Sequence, residues 1–114
     1  MRYIATNLSR TIFSVAPSYR SLVLAIAITE SNCKYDIKHP DSLTCGIGGI
    51  KPIFWSDILG DTKVNSLKAI ELVIRHLVEK HNGNIYDAIK EYKGGNKNLR
   101  STNKCFTMYK EMKI

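Results

Sequence analysis

Apolar residues recur along most of the chain at spacings of three and four, and no alternating stretch bounded by hairpin signals is long enough for a convincing strand. The pattern predicts a mainly helical domain. Residues 7–15 read as a short first helix ended by Pro17. Ser18 is placed to cap a second running to about residue 32, with Leu22, Ala25, Ile26 and Thr29 on one face and Glu30 in the last turn. Residues 35–49, rich in Asp, Gly, Pro, Ser and Thr, predict a loop of about fifteen residues, a length that suggests function. Pro52 opens a short helix through Trp55 and Leu59, followed by a turn at Gly60-Asp61. The clearest amphipathic helix covers residues 66–81, with Leu67, Ile70, Ile74, Leu77 and Val78 inward and Glu71 and Arg75 paired on the outside. Gly83 stops it, Asn84 caps the next through Tyr92, and Ser101 caps a last helix carrying Cys105, Met108, Tyr109 and Met112.

No repeat, low-complexity tract or linker interrupts the chain of 114 residues, and its 44% hydrophobic content suits one compact domain over residues 1–114 rather than a disordered segment. The net charge of +7 calls for an anionic partner, with nucleic acid, anionic lipid and bacterial wall polymer all qualifying. From Lys90 onward seven Lys/Arg stand against two Glu, which concentrates five of the seven net charges there. A basic run most often marks only a solvated face. Cys33, Cys45 and Cys105 match neither a zinc pattern nor an even disulfide framework, so no metal site and no cofactor are expected. Cys33 and Cys45 flank the segment after Glu30. A bridge bracing that loop and ordinary buried thiols both remain open. The run Leu22-Val23-Leu24-Ala25-Ile26-Ala27-Ile28 follows Arg2, Arg10 and Arg20, in superficial likeness to a signal peptide, but is too short to span a bilayer. Cleavage near its end would remove or strand Glu30. The run therefore reads as a buried helix, with no clear signal peptide.

Glu30 is the first candidate for chemistry. A carboxyl on an apolar wall is disfavoured when ionised, and the negative end of a helix dipole acts in the same direction. Both raise its pKa toward the range of a general acid working near neutrality. Taken alone, a Glu at a helix end is usually just solvated.

The order of the neighbouring motifs carries more. Glu30-Ser31, a loop with His39-Pro40, the stretch Gly46-Ile47-Gly48-Gly49-Ile50-Lys51-Pro52, a long helix beginning near Asn65, and Glu91-Tyr92-Lys93-Gly94-Gly95 together resemble the soluble lytic transglycosylase family, related to goose-type lysozyme. The resemblance covers about residues 18–97. It implies a compact lysozyme-like helical domain with a long loop after the catalytic helix, and it implies Glu30 as sole catalytic acid/base with Ser31 beside it. The family's Gly-Leu-Met-Gln-x-x-Pro stretch lines a sugar groove and falls on Gly46, Ile47, Gly48, Gly49 and Pro52, with Gly49 in place of the glutamine. Its Ala-x-x-Tyr-Asn-x-Gly motif falls on Tyr92, with Lys93 in place of asparagine. Tyr92 is expected to aim its hydroxyl at the carboxylate or the sugar. Lys93 is expected to contact a substrate carboxyl or leave the site, and His39 to touch substrate. Trp55 is read as core rather than sugar platform, and His76 as structural.

The implied activity is cleavage of the β-1,4 bond between N-acetylmuramic acid and N-acetylglucosamine in peptidoglycan, giving 1,6-anhydromuramyl products. A hydrolytic muramidase would need a second carboxylate. Asp36, Asp41, Asp57 and Asp61 are the candidates, though loop aspartates more often form turns. A non-catalytic cationic peptidoglycan-binding module is the alternative outside enzymology. The expected partners are peptidoglycan glycan strands and an anionic cell-wall or membrane surface, with no specific nucleic acid, for a monomer. Its place of action would be the bacterial periplasm or cell wall, as suits a phage-encoded virion or lysis protein or a domain of a secreted one.

Overall fold

Five of the six helices that the three- and four-residue spacing predicts are α-helices in the structure, and side-chain caps open two of them. The computed structural model describes residues 11–41 and 43–112. Among these residues five α-helices succeed one another: α1 (Arg20–Ser31), α2 (Pro52–Leu59), α3 (Leu67–Lys80), α4 (Ile85–Tyr92) and α5 (Leu99–Glu111). Short 3-10 turns occupy Ile12–Ser14, Pro17–Tyr19 and Gly95–Asn98. No strand occurs among the described residues, and Cys45 pairs with Ile50 in an isolated antiparallel bridge. The radius of gyration, 12.9 Å, is that of a compact chain of this length. None of the described helices is long and apolar enough to cross a membrane.

The core is built on α3, whose Leu67, Ala69, Ile70, Val73, Ile74 and Leu77 are buried. It packs against α1, α2 and α4, while α5 lies on α1 and α4. Helix α1 brings Leu22, Val23, Ala25, Ile26 and Ala27 into the same cluster. Each large apolar side chain so buried contributes about 1.5–3 kcal/mol, which outweighs the modest helix propensity of the β-branched Val23 and Ile26. Asn32, in the left-handed conformation, ends α1, and the backbone N–H of Cys33 reaches back to the Ala27 carbonyl at 3.2 Å. That termination leaves Glu30 in the last turn, next to the loop that follows.

Ser66 Oγ accepts from the Ala69 N–H at 3.1 Å and Asn84 Oδ1 from the Asp87 N–H at 3.0 Å, so both predicted caps form. Two others do not. Ser18 sits inside a 3-10 turn that leads into α1 without a side-chain cap, because Pro17 opens that turn and α1 begins only at Arg20. Helix α5 starts at Leu99, two residues before Ser101, and Asn98 turns its amide back to the Lys93 carbonyl at 2.5 Å. Of the predicted first helix, residues 7–10 lie outside the described residues, and a 3-10 turn occupies Ile12–Ser14.

Glu71 is not on the outside. It is wholly buried, accepting from Lys68 Nζ at 2.8 Å, from the Arg75 guanidinium at 3.0 Å and from the backbone N–H of Ala16 at 3.4 Å. The predicted pairing with Arg75 exists, but the carboxylate faces inward and ties the segment before α1 to α3. All three cysteines are free thiols, so Cys33 and Cys45 are not bridged; Cys33 and Cys105 are buried.

Candidate active site

The glycine-rich turn is fixed from several sides before any chemistry is considered. Cys45 and Ile50 exchange backbone hydrogen bonds of 2.7 and 3.0 Å, and the turn they close contains Gly46 to Gly49. Three successive carbonyls inside it each accept from a distant side chain. His39 Nε2 donates to the Gly46 oxygen, Ser31 Oγ to that of Ile47, and the Tyr92 hydroxyl to that of Gly48, each at 2.7 Å. A carbonyl can only accept, so His39 carries its proton on Nε2. Asn65 completes the frame: its Oδ1 accepts from the Ile47 N–H at 2.8 Å, and its amide donates to the Tyr35 carbonyl at 2.8 Å. The sequence placed Asn65 only as the approach to the long helix; an amide directly before the Ser66 cap was its one visible signal.

The turn so held presses on Glu30. Gly49 has φ +60°, and a Cβ built there would overlap Glu30 Oε1. A Cβ on Gly48 would overlap Ile70 and lie 2.8 Å from the Tyr92 hydroxyl. The glutamine of the resembling family therefore has no room at position 49 in this arrangement. Bare backbone at that position lets the carboxylate and the turn meet.

The other carboxylate oxygen faces a cation. Lys93 Nζ donates to Glu30 Oε2 at 2.5 Å and to Thr29 Oγ1 at 2.6 Å, with the Lys93 side chain only 1% exposed and that of Glu30 21% exposed. Thr29 in turn donates to the Ala25 carbonyl at 2.9 Å, which leaves its hydroxyl oxygen as the acceptor for Lys93. Lys93 thus neither leaves the site nor reaches for solvent. It is a neighbour that the sequence reading of Glu30 did not include. Burial pushes the Tyr92 hydroxyl well above the usual phenolic range, with the Glu30 and Cys105 charges adding to the effect. Burial also raises the Cys105 thiol, against the opposing pull of Lys93 and of the neighbouring Thr29 side chain.

Around this pair opens a cleft of about 480 Å³. Glu30, Gly49, Tyr92 and Lys93 line it together, so four of the predicted site residues converge. Thr44, Ile50 and Lys51 from the turn region, with Phe54 and Trp55 of α2, form one set of walls. Glu91, Gly94, Lys97 and Asn98, from the end of α4 through the following turn, form another. Trp55, expected in the core, does pack against it and stands edge-on to His76 at 6.1 Å, but it also borders the cleft. Phe54 is 69% exposed. Ser31, His39, Gly46 and Ile47 do not line the cleft; Ser31 and Ile47 are buried, and the four act on the turn rather than on its open side.

A second carboxylate lines the cleft, and it is none of the four aspartates named from the sequence. Glu91 Oε2 accepts from Lys80 Nζ and Glu91 Oε1 meets His81 Nε2, each at 2.8 Å. The Lys80 hydrogen bond, with help from His81, holds its carboxyl below the usual range against a desolvation cost. Its signal in sequence was indirect: Lys80 and His81 close the preceding helix. Asp41 makes a turn instead, accepting from the Leu43 N–H at 2.7 Å and pairing with Lys51 at 3.2 Å. Among the described residues no group of three His, Cys, Asp or Glu side chains is arranged to hold a metal ion. Compared with models of known protein families, with characterised proteins and with solved structures, the chain finds no match.

Proposed function

We propose that the cleft cleaves the β-1,4 bond between N-acetylmuramic acid and N-acetylglucosamine in peptidoglycan as a lytic transglycosylase, on a lysozyme-like helical fold. The observation that carries this reading is the contact of Glu30, in the last turn of α1, with a glycine turn that is itself fastened by Ser31 and Tyr92. Glu30, Gly49, Tyr92 and Lys93, four of the residues that gave the sequence its resemblance, line one cleft.

The chemistry needs one such group. The Glu30 carboxyl protonates the glycosidic oxygen as the bond from that oxygen to the muramyl C1 breaks. The resulting carboxylate then takes the proton of the muramyl C6 hydroxyl as that oxygen bonds to C1 and closes the 1,6-anhydro ring. No water enters, because the nucleophile is already held on the same sugar. Glu91, the other carboxylate of the cleft, is engaged by Lys80 and His81. That engagement favours transglycosylation over hydrolysis, which would ask Glu91 to activate water. Phe54 and Trp55 offer aromatic faces to sugar rings, and Lys51 and Lys97 add positive charge at the cleft for an anionic wall polymer. Digestion of purified peptidoglycan followed by mass spectrometry tests the reading. Products ending in 1,6-anhydromuramic acid are expected, whereas hydrated ends alone would exclude transglycosylation.

A second reading is favoured by the Lys93 ammonium on Glu30: a wall-binding module that no longer cleaves. It predicts co-sedimentation with insoluble peptidoglycan and no soluble product over a long incubation.

A further inference from the structure

The Glu30–Lys93 pair has a property that either residue alone would lack. Lys93 is at the end of α4 and Glu30 at the end of α1, and both belong to the same cleft. Nζ is withdrawn from solvent and, among the described residues, donates to Glu30 Oε2 and Thr29 Oγ1. Among the described residues the Cys105 thiol of α5 interacts with both Lys93 and Glu30 and the Tyr92 hydroxyl of α4 with Glu30, while Lys51, Glu91 and Lys97 line the same cleft. Gly46 to Gly49 add no titratable group. Burial holds the tyrosine and the cysteine protonated. An ammonium and a carboxylate at 2.5 Å contain the same protons as an amine and a carboxylic acid. The two forms differ only in which atom of the pair holds the shared proton, and Glu30, 21% exposed, keeps that proton within reach of the cleft.

We infer that Lys93 is a positioning residue which stores on Nζ the proton that Glu30 delivers, so that the acid is loaded while Glu30 rests as a carboxylate. The inference rests on the proposed transglycosylase reading. A proton passes from Nζ to the Glu30 carboxyl and from that carboxyl to the glycosidic oxygen, as the bond from that oxygen to muramyl C1 breaks. Lys93 is then a neutral amine and Glu30 a carboxylate. When the muramyl C6 oxygen bonds to C1, its proton returns through Glu30 to Nζ. No proton is gained or lost over the cycle, and no oxidant or further reactant is required. The asparagine of the resembling family could hold the carboxylate but could not store this proton.

The pH profile of peptidoglycan cleavage separates storage from simple charge or packing. Lys93→Met keeps the stem and removes the proton. It is expected to lower turnover about 10-fold or more near neutrality, and to move the alkaline limb of the profile at least about one pH unit toward acid, since a lone carboxyl must then load from solvent. Lys93→Arg keeps the charge, but a guanidinium does not give up its proton in this range, so it is expected to be as slow as Lys93→Met. Melting curves and co-sedimentation with peptidoglycan establish that each variant is folded and binds. If Arg proves too large to fold, Lys93→Met carries the test alone. Unchanged turnover and limb in Lys93→Met, faster turnover, or rescue by folded Lys93→Arg would each overturn the inference while leaving the cleavage reading in place. A wild-type protein that yields no product would overturn both.

Discussion

The Glu30 oxygen Oε1 lies where a side chain at position 49 would begin, and the backbone there has φ +60°, a conformation that L-residues adopt at a cost. Both constraints make Gly49 a test of the site. Gly49→Ala is expected to destabilise the fold by about 1–3 kcal/mol, and to reduce cleavage far more than that loss explains, because the methyl displaces the Glu30 carboxylate or the turn. Chemical denaturation beside turnover measurements checks this, and a variant with wild-type turnover would show that the contact is dispensable. The sequence made Glu30 legible through its position at the end of an apolar helix, before a glycine turn. Gly49 read there as a lost amide; in space it is the residue that lets the turn approach. Lys93 read as a cation directed at substrate or away from the site, because a sequence gives no sign of which way a long side chain folds back. Thr29, the hydroxyl that anchors it, lies 64 positions away along the chain.

At the scale of elements, the periodic segments were the legible part. The Pro52 start, the Ser66 and Asn84 caps and the Gly83 stop all rest on local chemistry that the sequence states outright. Ser18 and Ser101 misled because a serine near a helix start is permissive rather than decisive, and Pro17 and Asn98 redirected the chain first. Glu71 misled for a different reason. A charged residue on an otherwise amphipathic helix reads as outward, yet the segment before α1 folds over it and supplies the Ala16 N–H. Glu71→Ala is therefore expected to cost roughly 2–3 kcal/mol, less than breaking a wholly buried pair because Lys68 and Arg75 keep contact with water. A denaturation midpoint unchanged from wild type would contradict the placement of this carboxylate. Because Glu71 does not line the cleft, activity per folded molecule is expected to stay unaltered.

For the whole molecule, the buried acids set an alkaline limit to stability. Burial raises the Cys33 and Cys105 thiols above their ordinary 9.0 and the Tyr92 hydroxyl above its ordinary 10.0. Each stays protonated in the folded chain at a pH where its unfolded counterpart has ionised. Their stabilising contribution is thus complete below the unfolded values and is lost as pH rises through the folded ones. The melting temperature should fall from about pH 9 upward. A melting temperature that stays level to about pH 11 would contradict the burial of these groups. Glu91 acts with the opposite sign, since its lowered carboxyl contributes above its ordinary 4.5 and the contribution fades as acid protonates it in the fold.

The cleft itself gathers side chains from α1, α2, α4 and the glycine turn, and that convergence was legible only as an order of motifs. Distances, the Lys93 latch and the presence of Glu91 required the folded chain. Everything claimed for the cleft depends on the Glu30 carboxyl. The direct test is the release of soluble muropeptides from purified peptidoglycan by wild-type protein and by Glu30→Gln, with melting curves matched to show that both are folded. The wild type should release them and Glu30→Gln should release none above background; release at the wild-type rate by folded Glu30→Gln would contradict the account.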